Sequence, residues 1–355
     1  MKVKSKKAKG KILSVSLYLC GVIFFFTISA PAQWIKQTVD TTASLRGLSV
    51  VNEKVVWASG TGGTVIKTVD GGKSWNVIAV PGAEKLDFRD IEAFDENTAY
   101  ILSIGNGENS RIYKTTDGGK TWEEQFRNKN EKAFFDAIAC WDRKSCIAMS
   151  DPVDGHYVLI STADGENWKP IVSNKMPAAK EGEAAFAASG TCLITQGKNR
   201  VFLVSGGSDA RVFRSIDRGV TWTVADTPIT KGTPGSGIFS IAMYDDKNGV
   251  IVGGNYEKPD EAKDNLAFTT DGGKTWKLET GLTGYRSAVV YGPGEWVIAV
   301  GTNGTDYSTH KLIWGKMGKE NLNAVDVKII DSCDWYLWGV GPSGLVVKQS
   351  FTCVH

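Results

Sequence analysis

Three arginines, Arg46, Arg89 and Arg286, each stand at the start of a short run of residues with the composition of a β-strand. An arginine guanidinium presents planar, paired N–H donors that match the geometry of a carboxylate. Three such groups facing one point would hold an acidic group of a ligand or of a protein partner. Carboxylate recognition is therefore the first chemistry that the sequence indicates.

Four aspartates are weak candidates for catalysis: Asp90, Asp136, Asp151 and Asp154. Glycoside hydrolysis requires two carboxyl groups separated by roughly 5–10 Å. Asp151 or Asp154 paired with Asp90 or Asp136 would meet this requirement if the fold brings the two together. The spacing in the sequence does not single out one pair, so we name no catalytic residue firmly.

Polar residues of predicted loops complete the candidate site for a ligand or partner: Tyr285, Asn255, Tyr256 and His156. Loops on a rigid scaffold are where binding surfaces often occur. The alternative interpretation is that these are solvated loop side chains with local salt bridges, which contribute little individually.

Several other chemistries have no support in the sequence. It contains no G-x-S-x-G, H-E-x-x-H or P-loop motif, and no G-x-G-x-x-G follows a strand and opens a helix. The chain has three histidines, and its cysteine spacings do not resemble a zinc site. We therefore predict neither a cofactor nor a bound metal.

The elements that must position these residues are defined by a repeat, T/S-x-D-x-G-x-T/S-W. It occurs without a gap at 68–75, 115–122, 215–222 and 269–276, in a shortened form at 162–168, and in a degenerate form at 308–314 with His310 in place of Asp. The aspartate can accept hydrogen bonds from backbone N–H groups two residues on, and the glycines tolerate positive φ. The tryptophan buries a large apolar face between sheets. We interpret these residues as structural: Asp70, Trp75, Asp117, Trp122, Asp164, Trp168, Asp217, Trp222, Asp271 and Trp276.

Around each motif, four short β-runs recur with turn residues between them, so we expect one four-stranded sheet for every 40–50 residues or so. First strands are expected near residues 46, 89, 136, 184, 238, 286 and 323. The predicted fold is all-β: a seven-bladed β-propeller with four antiparallel strands per blade, in which the strand at Trp34 completes the last blade and closes the ring. A six-bladed ring with a terminal hairpin is the alternative.

These motifs carry a resemblance to known proteins. The Asp boxes resemble the bacterial neuraminidase repeats of sialidases and sortilin-type receptors. The openings Leu-Arg-Gly-Leu and Phe-Arg-Asp-Ile, with boxes reading Lys-Thr-x-Asp-Gly-Gly-Lys, are more similar to the photosystem II assembly/stability factor family, over essentially residues 33–355. The resemblance implies an exported, non-catalytic propeller with a partner-binding arginine patch, matched here by Arg46, Arg89 and Arg286. The Arg-Ile-Pro signature of sialidases is absent.

Residues 1–32 have the pattern of a secretory signal peptide, with six lysines, an apolar run and the site Ala30-Pro31-Ala32. Retention of this segment as a membrane anchor is the alternative. Without it, 35 Lys and Arg stand against 39 Asp and Glu, a net charge of −4. We therefore expect a periplasmic or extracellular domain over 33–355, with no nucleic-acid partner and no later membrane span.

Export permits disulfides. Cys140 and Cys146 flank a short turn and could face each other across a hairpin, and Cys333 and Cys353 would lie on one face of the last blade. Together, these features favour a monomeric, non-catalytic propeller that binds a protein or a glycan on its channel-mouth face. A glycoside hydrolase that uses the channel-mouth carboxylates is the alternative.

Overall fold

Short runs of apolar and β-branched residues, separated by turns rich in Gly, Asn and Asp, fold into thirty strands in the part of the chain that the structure describes. The computed structural model describes residues 33–172, 175–309 and 313–352. Two 3₁₀ helices, Gly107–Asn109 and Pro293–Glu295, are the only helical elements within these ranges. The chain is thus all-β where it is described.

The first half of the chain forms three complete blades after one N-terminal strand. The strands are β1 (Ile35–Lys36), β2 (Leu45–Val50), β3 (Val56–Gly60), β4 (Thr64–Thr68), β5 (Asn76–Ala79), β6 (Phe88–Ala93), β7 (Ala99–Ser103), β8 (Arg111–Thr115), β9 (Glu123–Arg127), β10 (Phe135–Asp142), β11 (Ser145–Val153), β12 (His156–Thr162) and β13 (Lys169–Pro170). Blades one, two and three are β2–β5, β6–β9 and β10–β13, each antiparallel and in sequence order.

The second half forms four more blades and two very short strands. The strands are β14 (Glu183–Ala184), β15 (Leu193–Gln196), β16 (Arg200–Val204), β17 (Gly206–Gly207), β18 (Arg211–Ser215), β19 (Thr223–Asp226), β20 (Ser236–Met243), β21 (Gly249–Asn255), β22 (Leu266–Thr269), β23 (Lys277–Leu278), β24 (Ala288–Tyr291), β25 (Val297–Gly301), β26 (Gly304–Ser308), β27 (Trp314–Gly318), β28 (Ala324–Ile329), β29 (Trp335–Val340) and β30 (Val346–Phe351). Blade four is β15-β16-β18-β19, blade five is β20–β23 and blade six is β24–β27.

Blade seven closes the ring as the sequence predicts. Its sheet has the order β1-β30-β29-β28, with Ile35 opposite Lys348 and Lys36 opposite Val347. The indole of Trp34 is 8 % exposed and donates to Thr305 Oγ1 at 2.9 Å. The first strands of successive blades contact one another around the circle, including β28 with β2. The seven-bladed propeller, with four antiparallel strands per blade, is therefore confirmed.

The position of the first strand in blade four was predicted wrongly. It was expected near Ala184, but it is β15, which begins at Leu193. Glu183 and Ala184 instead form β14, which pairs with β17, and β17 in turn pairs with Gly237 of blade five. The alanine-rich segment between β14 and β15 belongs to no strand, and it crosses the channel. Hereafter we call Ala185–Ser189 the crossing segment.

Each complete Asp box closes its turn through the aspartate. Asp70 Oδ1 accepts from Ser74 N at 3.0 Å, and its Oδ2 accepts from the Ser74 hydroxyl at 2.6 Å. The amide lies four residues on rather than the expected two, because the turn contains two glycines with positive φ, Gly71 and Gly72. Only the shortened box has the expected contact, from Glu166 N to Asp164 Oδ1.

A basic side chain joins each of four blades to the Asp box of the next. The ammonium group of Lys67 donates to Gly118 O at 2.7 Å, and the same contact to the first glycine of the following box recurs around the ring. The other three pairs are Lys114 with Gly165, Arg214 with Gly272 and Lys348 with Gly71. The boxes therefore contribute to packing between blades as well as within them.

A disulfide joins Cys140 and Cys146, which are opposite each other in the pairing of β10 with β11. Cys192 is a buried free thiol. The pairing of Cys333 with Cys353 stays a prediction, since Cys353 lies outside the described residues, as do His310 and residues 1–32. No helix in the described ranges has the length and hydrophobicity needed to span a membrane.

Candidate functional site

A β-bulge turns one side chain of the first strand toward the channel mouth in four blades. The registers of the first and second strands shift between Leu45 and Gly47, Phe88 and Asp90, Phe135 and Ala137, and Ile238 and Ser240. A bulge leaves one residue unpaired and redirects it. The bulged residues are Arg46, Arg89, Asp136 and Phe239.

The residue before each bulge points the other way, into the packing between blades. Leu45, Phe88 and Ile238 are all fully buried there. In blade six Arg286 occupies this buried position, and Ser287 takes the position that faces the mouth. The prediction that Arg286 corresponds to Arg46 and Arg89 was therefore wrong, because the corresponding residue is Ser287. In a strand, a shift of one residue moves a side chain to the opposite face of the sheet.

Arg286 is instead part of a closed internal network. Its guanidinium is 0 % exposed and donates to Asp306 Oδ2 from Nε at 3.0 Å and from Nη2 at 2.5 Å. Nη1 donates to Tyr285 O and to Asn303 Oδ1, and Nη2 also donates to Thr283 Oγ1. No donor of this side chain is directed at the mouth, so Arg286 is a structural residue.

The bulged residues and their counterparts surround a cavity of about 410 Å³ at the channel mouth. Six blades contribute one side chain each, in the first strand or immediately before it: Arg46, Arg89, Asp136, Phe239, Ser287 and Asn323. Blade four contributes the crossing segment in place of a first-strand residue. A second set of lining residues comes from loops, which supply Phe134, Tyr256, Tyr285 and Thr302, and from β11, which supplies Asp151.

The crossing segment is held against the two arginines. Ala188 O accepts from Arg46 Nη1 at 3.2 Å, and Ala187 O accepts from Arg89 Nη1 at 3.1 Å. Beyond this segment lies a second cavity of about 240 Å³, which Ser189 and the residues that follow it help to line. The segment therefore divides the central channel into a mouth cavity and an inner cavity.

The two arginines differ in how their charge is compensated. Arg89 Nε donates to Asp87 Oδ2 at 2.8 Å. Arg46 forms no ion pair with any residue in the described ranges. Burial, followed by the neighbouring charge of Arg89, lowers the pKa of Arg46. The Arg46 guanidinium is thus a partly desolvated cation beside a second one, an arrangement that favours an incoming anion.

Next to the arginines, blade three supplies two carboxyl groups. Asp136 is 1 % exposed, and its Oδ2 has no hydrogen-bond partner among the described residues. Asp151 Oδ1 accepts from Ala185 N of the crossing segment at 2.7 Å. Burial raises the pKa of Asp151 to about 6, and burial together with the charge of Asp151 raises the pKa of Asp136 well above its usual value. Both carboxyl groups therefore take up a proton more readily than an ordinary aspartate does.

Aromatic rings form another wall of the cavity. Phe186 of the crossing segment stacks on Phe239, with ring centroids 3.8 Å apart and planes 4° from parallel. Tyr285 meets Phe239 edge-on at 4.7 Å, and Tyr256 does so at 6.2 Å. Tyr256 is 49 % exposed, so the aromatic wall is open to solvent at one end.

The other candidate residues do not reach the mouth cavity. Asp90 lines the inner cavity with Glu92 and Asp326, and its carboxylate accepts from Ile91 N and Ile138 N. Asn255 is buried, and its Oδ1 accepts from Glu257 N.

Asp154 and His156 lie at an exposed hairpin turn, where Asp154 pairs with Lys132. The structure thus brings together Arg46, Arg89, Asp136, Asp151, Tyr256 and Tyr285.

Sequence reasoning missed several lining residues: Phe134, Phe186, Phe239, Ser287, Thr302 and Asn323. A signal for three of them was present, since Phe239, Ser287 and Asn323 lie at or next to the predicted starts of first strands near residues 238, 286 and 323. The described residues contain no group of three or more His, Cys, Asp or Glu side chains that could hold a metal ion.

Comparison with known proteins agrees with this fold and its repeats. The BNR/Asp-box repeat matches residues 113–124 and 267–278. No curated protein matches the chain. Among solved structures, YCF48 bound to D1 peptide has a TM-score of 0.65 and 17% identity, covering 92% of this chain and 100% of that one. YCF48 from Cyanidioschyzon merolae has a TM-score of 0.62 and 17% identity, covering 90% and 99%.

The WD40 β-propeller domain of Doa1 is also similar, with a TM-score of 0.58 and 10% identity, covering 90% of this chain and 97% of that one. The chain is thus a seven-bladed β-propeller with Asp-box repeats. The repeats confirm the predicted resemblance to Asp-box propellers, and the YCF48 structures share the fold of this chain. At these identities the likeness is one of fold.

Proposed function

We propose that this propeller is a non-catalytic binding protein that holds an acidic segment of a protein partner in the mouth cavity. The observation that carries the proposal is the Arg46 guanidinium, which is partly buried in a cavity wall and has no carboxylate partner among the described residues. A desolvated cation without a counter-ion is costly, and a ligand carboxylate would relieve that cost. Arg89, the neighbouring cation, would share the contact.

Two further observations support a protein rather than another ligand. A propeller of similar fold, YCF48, has been solved bound to D1 peptide. The mouth cavity also has an aromatic wall formed by Phe186, Phe239 and Tyr285, and aromatic residues are enriched where proteins bind proteins. We propose that the chain acts as a monomer, since one ring supplies the whole cavity.

Selection from a random decapeptide display library tests the proposal. We expect Asp and Glu to be enriched on the wild-type protein and not on a variant carrying both Arg46→Ala and Arg89→Ala. Arg143→Ala is the matched control, because Arg143 is 57 % exposed and pairs with Asp95 outside the cavity. Equal enrichment on all three proteins would overturn the proposal. Binding to a glycan array without peptide enrichment would indicate that the partner is a glycan rather than a protein.

A glycoside hydrolase is the second candidate, and one observation favours it. Asp136 and Asp151 line the same cavity, and burial raises the pKa of each, as a general acid requires. Purified protein incubated with sialosides and with plant and bacterial polysaccharides provides the test. Turnover that disappears with Asp136→Asn or Asp151→Asn would establish the enzyme and displace the binding function.

We also propose that the propeller is exported to the periplasm or the cell exterior. The Cys140–Cys146 disulfide supports this proposal, because disulfides persist in oxidising compartments. Mass spectrometry of the protein recovered from its host tests it. A mature chain that begins at Gln33 is expected, and a chain that keeps residues 1–32 in the membrane fraction would overturn cleavage.

A further inference from the structure

Blade three carries an acid at the position where blades one and two carry arginines. Arg46, Arg89 and Asp136 are the bulged residues of three consecutive first strands, so they are neighbours along one arc of the mouth. The side-chain charge along this arc therefore changes from positive to negative between blade two and blade three. A site that bound only acidic groups would be weakened by Asp136, since like charges repel.

The Asp136 carboxyl is also incompletely satisfied. The residue is 1 % exposed, it lines the cavity, and its Oδ2 accepts no hydrogen bond from any described residue. A buried acceptor without a partner is costly and uncommon in proteins. Its neighbour Asp151 shares the cavity wall, and the carboxyl group of Asp151 accepts a hydrogen bond from Ala185 N.

Among the described residues, no cation forms an ion pair with Asp136. The charged and titratable groups that act on Asp136 or are affected by it are Asp151, Arg89, Tyr157 and Cys192. Arg89 is the one cation among them, and its Nε is engaged by Asp87.

We infer that Asp136 and Asp151 form a cation-binding half of the cavity, so that the bound segment carries a lysine or arginine beside its acidic group. The inference rests on the proposed function, whose anion-binding half is Arg46 and Arg89. A ligand ammonium or guanidinium would donate to Asp136 Oδ2 and would supply the hydrogen bond that this atom lacks. The site then distinguishes a segment of mixed charge from a purely acidic one.

The decapeptide library separates this inference from the proposed function. On the wild-type protein we expect enrichment of both acidic and basic residues. On Asp136→Asn, an isosteric change, we expect acidic enrichment to persist and Lys and Arg enrichment to disappear. Asp246→Asn is the control, because Asp246 is 76 % exposed and pairs with Arg200 at a turn of another blade. The peptides selected on this control should have the same composition as those selected on the wild-type protein.

A selected peptide, resynthesised, gives the size of the effect. Because hydrogen bonds to charged groups contribute about 1.5–3 kcal/mol, Asp136→Asn should weaken its affinity by roughly 10- to 100-fold. Replacing the peptide lysine by norleucine, or an arginine by citrulline, should weaken the affinity for the wild-type protein by the same factor as Asp136→Asn does. Combining the two changes should add little, since both remove one interaction. The altered peptide needs no change in the protein, so the test holds even if Asp136→Asn unfolds.

The two failures are distinguishable. Acidic enrichment without Lys or Arg enrichment, or a peptide lysine that norleucine replaces without loss, overturns the inference and leaves the proposed function standing. Absence of any enrichment over the variant with Arg46→Ala and Arg89→Ala overturns both.

Discussion

Arg286 and Asp306 form a buried ion pair in which two guanidinium nitrogens, Nε and Nη2, donate to one carboxylate oxygen, Oδ2. The two side chains are 0 % and 1 % exposed. The remaining carboxylate oxygen, Oδ1, accepts from Thr283 Oγ1 at 3.1 Å. An arginine that looks like a ligand-binding residue in the sequence is thus committed to the interior of blade six.

This pair makes a prediction about stability. Asp306→Ala should lower the free energy of unfolding by about 3–5 kcal/mol, because it leaves the Arg286 cation buried without a counter-ion. The double change Arg286→Met with Asp306→Leu should cost less than Asp306→Ala alone. Urea unfolding followed by tryptophan fluorescence measures both. A double variant less stable than the single one would contradict this account.

Gly72 of the first Asp box is predicted to be essential for packing as well as for its turn. A Cβ at Gly72 would lie 2.6 Å from Trp338 Cη2 and from Gln37 Oε1, and φ there is +88°. Gly82 has a similar φ of +76° with no atom within 4 Å of its would-be Cβ, which makes it the matched control. Gly82→Ala should cost about 1–2 kcal/mol from left-handed strain alone.

Gly72→Ala should cost clearly more, because Trp338 belongs to blade seven and the clash would disturb the closure of the ring. Thermal melting of both variants measures the difference. Equal losses would mean that the box glycines serve only backbone conformation.

The propeller is predicted to be most stable at mildly acidic pH. Burial raises the pKa of Asp90 to about 7 and that of Asp326 to about 6, so both bind protons more tightly in the folded state. Their protonation favours folding below these values, and this stabilisation is lost as pH rises through about 4 to 7. The box carboxylates act oppositely, since hydrogen bonds from Ser74 and Thr121 lower the pKa values of Asp70 and Asp117 to about 2.

The stabilisation from Asp70 and Asp117 is present above about pH 4 and is lost in stronger acid. The melting temperature should therefore be higher near pH 5 than near pH 8, by an amount that Asp90→Asn reduces. Calorimetry across this range measures it. A melting temperature that rises steadily from about pH 5 to about pH 8 would refute the assignment.

The cysteines are predicted to differ sharply in reactivity. Burial raises the pKa of the Cys192 thiol well above its usual value, so it should resist alkylation in the folded protein and react once it is unfolded. Reduction should raise the mass by about 2 Da for the Cys140–Cys146 disulfide and by about 2 Da more if Cys333 and Cys353 are paired. Intact-protein mass spectrometry with and without reductant reads both. Labelling of native Cys192 at the rate of an exposed thiol would contradict its burial.

The repeat in the sequence was sufficient to predict the number of blades, their strands and the closure of the ring. Each blade carries its own turn signals, and Trp34 resembles the tryptophans that precede other fourth strands. The prediction failed in blade four, where Ala184 was taken as the start of a first strand. Alanines have weak strand preference, and the contacts that hold the crossing segment, from Arg46 and Arg89, are far away in sequence.

The sequence predicted the residue types of the site but not which of their side chains come together. The residue type at Asp136 could be read directly, but its convergence with Asp151 depends on a β-bulge, which tertiary contacts determine. The error at Arg286 has the same origin. Its run, Tyr-Arg-Ser-Ala, resembles Leu-Arg-Gly-Leu in sequence, but the burial of Arg286 shows that the two runs are offset by one residue.

The crossing segment has a consequence for the shape of any bound chain. Because Ala187 and Ala188 line the mouth cavity and the next residue, Ser189, lines the inner one, we expect a bound polypeptide to stop at the crossing segment rather than thread through the ring. It must enter and leave by the same opening, as a chain end or as a tight turn. Recognition of this kind selects for free termini and exposed loops, and it lets the partner dissociate without passing its whole length through a pore.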